Sequence, residues 1–73
     1  MMTNLQTDPA DRHYKINFLR AATEHEIAHD GDTGPRPETI TVDARSRNAA
    51  RLYGRSVAKE RGWRLMDVRE VAL

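Results

Sequence analysis

The chain has 73 residues and no cysteine, so it holds one domain at most, no disulfide framework and no thiolate metal site. Its 12 Lys and Arg nearly balance its 11 Asp and Glu, and no apolar run approaches the ~18 residues of a membrane span. A core built from so short a chain rarely supplies more than about 3–5 kcal/mol, so self-association is a common supplement and a homodimer is expected.

The opening stretch, MMTNLQTDPADR, is polar, has no hydrophobic segment of the secretory type and shows no periodicity. Residues 1–12 are expected to be a flexible arm, residues 13–73 a single α+β domain, and the protein cytoplasmic. HYKINFL, 13–19, alternates: Tyr14, Ile16 and Phe18 on one face, His13, Lys15 and Asn17 on the other. That is the period of a half-buried strand. RAATEHEIAHD is ambiguous, because its Ala and Glu favour helix but Ala21, Ala22, Ile27 and Ala28 make a poor helical stripe. DGDTGPRP, 30–37, is a turn or loop.

ETITVDA, 38–44, alternates again, with Ile40, Val42 and Ala44 on one face. Ser46 suits an N-cap, and RNAARLYGRSVAKER, 47–61, follows as a helix. At ~100° per residue, Ala50, Tyr53, Gly54 and Val57 share its apolar face. Gly62 supplies a left-handed stop, after which Trp63 is placed for a hydrophobic contact. WRLMDVREVAL, 63–73, reads as the last strand. The order is therefore β-β-α-β: a small three-stranded sheet with one helix on one face and the first strand between the other two, antiparallel to both. The rival layout makes 11–29 a helix and gives α-β-α-β. Tyr53 and Phe18 are expected in the core, and Trp63 either caps it or anchors an interface. The other sheet face would need water, a partner or a second copy.

His25-Glu26-Ile27-Ala28-His29 has the spacing of zinc metalloproteases. On a helix His25 and His29 could grip one zinc while Glu26 takes a proton from bound water. The extended motif needs Gly and a third ligand three and six residues on, where this chain has Asp32 and Pro35. His13 is the one other histidine. So small a chain leaves little scaffold for the supporting shell. The motif is read as a coincidence of spacing, with no metal and no cofactor expected and His25 and His29 as the minor candidates. DGDTG opens like a calcium loop, but its fifth and twelfth positions are Gly34 and Thr41, and the reading is a glycine-rich turn.

Charge is the sharper clue. The first 36 residues sum to −2 and the rest to +3, and residues 44–61 hold six basic residues and one acidic. Arg47, Arg51, Arg55 and Lys59 step by four along the helix, with Arg61 at the edge of the arc. The reading places this ridge roughly opposite the apolar face. Like charges at this spacing destabilise a helix slightly, and Arg47 opposes the helix dipole. The ridge either meets an acidic partner or is a solvated face neutralised by Asp30, Asp32, Glu38, Asp67 or Glu70. Phosphates would suit it, yet a net charge of +1 is low for a dedicated nucleic-acid domain.

The stretch TITVDARSRNAARLYGRSVAKERGWRLMDVREV, 39–71, carries V-x-A-x-S before a helix with spaced Ala, then a Gly stop and a V-x-x-V strand. It resembles small β-β-α-β proteins of bacteriophages and mobile elements, among them some anti-CRISPR proteins and other host-directed inhibitors. The residues that carry the resemblance are Val42, Ala44, Ser46, Ala50, Gly62, Val68 and Val71. It implies a compact, non-enzymatic protein that occupies a surface of a larger machine. The expected function is thus binding of a larger protein or nucleoprotein complex, through Arg47, Arg51, Arg55, Lys59 and Arg61, the acidic pair Asp30 and Asp32, and Trp63. Nucleic acid is the alternative partner, and no membrane partner is expected.

Overall fold

The computed structural model describes residues 11–71. Its elements are β1 (Arg12–Arg20), α1 (Glu24–Asp30), β2 (Arg36–Ala44), α2 (Arg47–Arg61) and β3 (Arg64–Val71). The fold is α+β, with one three-stranded sheet in the order β2-β1-β3 and β1 antiparallel to both neighbours. β2 and β3 are therefore parallel to each other, and α2 carries the chain between them. The strands alternate as their sequences demand, with Tyr14, Ile16 and Phe18 buried beneath α2. Ile40, Val42 and Ala44 are partly buried beside them.

One element departs from the β-β-α-β order. Residues 24–30, ambiguous in sequence, form a helix, so the order is β-α-β-α-β. The cause is local. Thr23 caps the helix by accepting from the Glu26 amide, and the Glu26 carboxylate accepts from the Thr23 amide at 2.8 Å. This reciprocal box satisfies two otherwise unpaired donors without any apolar stripe. Gly31 ends the helix.

α2 begins at the expected cap, with the Ser46 hydroxyl accepting from the Ala49 amide at 3.1 Å. It ends at Gly62, whose φ of 71° lies in the left-handed region that other residues adopt only with strain. Its buried face is Ala50, Gly54, Val57 and Ala58. Three of these residues are small and spaced by four, so the helix lies close on the sheet. A Cβ on Gly54 would sit 2.9 Å from Ile16 Cγ2 and 3.3 Å from Leu65 Cδ1. The close approach corrects the place expected for Tyr53. With no room under the helix for a ring, Tyr53 lies at the flank and is 50% exposed. Phe18 is in the core as expected, and Trp63 caps it edge-on, ring centroids 5.3 Å apart.

β3 is not a simple alternation. Asn17 pairs with Asp67 but Phe18 with Leu65, so Met66 is an extra residue on the β3 side. This bulge lets Leu65 and Val68, three apart, face α2 together, while Met66 is 50% exposed. The strand starts at Arg64 rather than Trp63, and residues 72–73 lie outside those described. Arg12, placed in the expected arm 1–12, is in β1 opposite Ala44. Residues 1–10 of that arm lie outside the described residues.

The sheet face away from α2 is polar. Thr39 donates to the Asn17 side-chain oxygen at 2.8 Å, and the Asn17 amide donates to Asp67 at 2.6 Å. These bonds tie all three strands, and His13 bonds Asp43 across β1 and β2. Such a face is stable in water. Water is therefore cover enough for this face without a second copy, and among the described residues no further strand pairs with the outer edges of β2 and β3.

Candidate functional site

Four residues of helix turn about 400°, so each step from Arg47 to Arg51, Arg55 and Lys59 advances about 40° around the axis. The row therefore starts beside the buried stripe and winds outward, instead of lying opposite the apolar face as the sequence reading had it. Arg47, Arg51 and Arg55 line a groove of about 180 Å³ between α2 and the edge strand β3, with Leu65, Met66, Asp67 and Val68 as its other wall. Lys59 has wound away from that groove and is exposed.

Among the described residues no carboxylate pairs with Arg47, Arg51, Arg55 or Lys59. The acids that might have neutralised them are engaged elsewhere. Asp30 binds Arg36 through both guanidinium Nη atoms at 2.9 Å. Glu38 is 3.7 Å from Arg20, Glu70 binds Arg12 at 3.2 Å, and Asp67 binds Asn17 and lies 3.8 Å from Arg69. Three guanidinium groups thus share one groove with a single carboxylate, Asp67, which bonds Asn17 and lies beside Arg69 and pairs with none of them. Arg61 is placed differently, over the Trp63 ring at 5.0 Å. That contact belongs to the end of the core that Trp63 caps.

The acidic segment is not a free counterpart. Glu26 receives both Nη atoms of Arg20 at 2.8 Å. The Arg20 guanidinium, with the Thr23 amide next in importance, holds the Glu26 carboxyl far below the usual carboxylate range. Arg36, then the Asp32 amide, lowers Asp30 to about 2. Arg20 and Arg36 face each other in the β1–β2 register, and Glu26 and Asp30 share a face of α1 four residues apart. Two cross-strand arginines therefore clamp the helix to the sheet end. Asp32 accepts from the Gly34 amide at 2.8 Å and so folds its own turn.

His25 and His29 are exposed on α1, beside the clamped face rather than on it. His13 is far along β1, bound to Asp43. Among the described residues no group of three or more His, Cys, Asp or Glu is placed to hold a metal ion. Glu26, the base of a zinc-site reading, is occupied by Arg20 and the cap. The same holds for DGDTG, whose carboxylates are spent on Arg36 and on backbone amides.

The sequence reading missed the Arg20–Arg36 clamp. Its helix was legible in Thr23-x-x-Glu26, a capping-box spacing. The juxtaposition of the two arginines was not, since it depends on the register of strands separated by a helix. No helix of the described residues is long and apolar enough to cross a membrane. Comparison with protein-family models, curated proteins and solved structures finds no match to this chain.

Proposed function

We propose that the protein is a non-enzymatic binding module that docks an acidic surface of a larger protein or nucleoprotein complex through Arg47, Arg51 and Arg55. The observation that carries this reading is an arginine row with no paired carboxylate among the described residues, beside the outer edge of β3. Guanidinium groups bind carboxylates in a planar, two-pronged geometry. Here the helix, packed on the sheet by its buried face, fixes the backbone positions of the three arginines, so the ordering left for the moment of binding is that of their side chains. A host-directed role of the anti-CRISPR kind rests on the sequence pattern of residues 39–71 alone.

The test is affinity capture from host lysate, with and without nuclease, beside the double variant Arg51→Glu/Arg55→Glu. The expected outcome is a defined protein that survives nuclease and is lost with the variant, whose circular dichroism stays that of the parent. Capture unaffected by the double reversal would overturn the reading. Recovery of nucleic acid alone, with proteins vanishing on nuclease treatment and affinity falling steeply with salt, would replace it with phosphate binding.

A further inference from the structure

We infer that the free edge of β3 takes up an extended acidic segment of the partner as a fourth strand, with Arg47, Arg51 and Arg55 reading its side chains. The inference rests on the proposed acidic-partner reading and adds the form of the ligand. Among the described residues β3 is an edge strand, so the backbone N–H and C=O groups on its outer side have no partner in the sheet. An incoming strand would satisfy them, the mode known as β-augmentation.

The spacing of the arginines fits such a strand. Successive members of the row are four residues apart on a helix, a rise of about 6 Å. Side chains on one face of a strand recur every two residues, a rise of about 6.7 Å. A segment with a carboxylate at every second position would thus match the axial spacing of the three arginines, and their long side chains span the sideways offset that the winding of the row, about 80° in all, introduces.

Other occupants fit less well. Pairing of β3 with β3 of a second copy, in a continuous antiparallel sheet, puts both helices on one face and brings the two arginine rows together. Like charges in that position oppose the contact. A nucleic-acid strand would find no aromatic ring in the groove, whose apolar wall is Leu65, Met66 and Val68. Arg64, Asp67, Arg69 and Glu70 on β3, with the bulge at Met66, are the devices that keep an edge from pairing promiscuously. They leave selection to the charge pattern of the incoming segment.

The experiment uses the full chain and a blocked peptide as long as β3, with Glu at every second position and Thr between. Two further peptides carry backbone N-methyl groups, one at the odd residues and one at the even. The expected result is binding that slows amide exchange along β3, is weakened about tenfold or more by Arg51→Glu/Arg55→Glu, and is lost with one N-methylated peptide but kept with the other. Equal binding of both N-methylated peptides, still sensitive to the arginine reversal, would overturn strand addition and leave the acidic-partner reading standing. Equal binding of the same peptide with Gln for Glu would overturn the role given to the arginines. Tighter binding of single-stranded oligothymidylate than of the Glu peptide would overturn the inference in favour of phosphate.

Discussion

Helix α2 reaches the sheet through Ala50, Gly54, Val57 and Ala58, all buried, and leaves its arginine row without a paired carboxylate among the described residues. Helix α1 buries no residue and reaches the same sheet through Glu26 and Asp30, each gripped by a strand arginine. The first attachment excludes water and is non-directional. The second stays in contact with water and depends on charge and geometry. Ion pairs that stay partly open to water contribute modestly to global stability, and α1 buries no residue, so α1 is a local element of the β1–β2 connection and α2 is part of the core. The difference also sorts the charges. Around α1 they are consumed in holding structure, and in the α2–β3 groove Arg47, Arg51 and Arg55 have no paired carboxylate among the described residues.

The largest effect should come from the core under α2. Phe18→Ala removes a buried ring from both the sheet and the edge-on contact with Trp63. A loss of about 3–5 kcal/mol is expected in urea unfolding, which is comparable to the whole stability of so small a domain. A loss under about 1 kcal/mol would mean that α2 is not held by this packing. Next in size is Gly54→Val. Its branched side chain must enter the space of Ile16 and Leu65, and overpacking of this kind costs about 1–3 kcal/mol. Unchanged thermal unfolding would show that helix and sheet are not in such close contact.

Thr23→Ala should act on α1 alone. Loss of an N-cap costs about 1 kcal/mol, and here it should speed amide exchange in residues 24–30 while urea unfolding of the rest stays where it was. A matching loss of global stability would erase the distinction between the two helices. Acid sharpens the same point with a still smaller effect. Both carboxyls have folded values below their unfolded ones, so their contribution is present in full above the ordinary carboxylate range. It is lost as pH falls, through about 2 for Asp30 and lower still for Glu26. Exchange protection of α1 should therefore fade between about pH 4 and 2 while that of α2 persists. Simultaneous loss in both helices would argue that the clamp supports the core as well.

Much of this was readable in advance where the determinant is local. The alternation of Tyr14, Ile16 and Phe18 and of Ile40, Val42 and Ala44 marks strands, because side chains point to opposite faces with a period of two. Ser46 and Gly62 bound α2 because cap chemistry acts within a turn. The four-residue step of the arginines makes a ridge whatever the helix packs against. α1 was obscured because its stability comes from a capping box and two ion pairs rather than from an apolar stripe.

The sequence by itself determined the alternating strands, the capped helix and the charge asymmetry, since each follows from neighbours a few residues apart. Tertiary structure alone decided that Tyr53 sits outside the core, that Arg20 and Arg36 meet across two strands, and that the groove lined by the arginine row has β3 as its other wall. Those outcomes depend on how closely a helix of small residues settles on the sheet and on the register of strands far apart in the chain. Neither is encoded in any single stretch, because both emerge only when the two surfaces are fitted together.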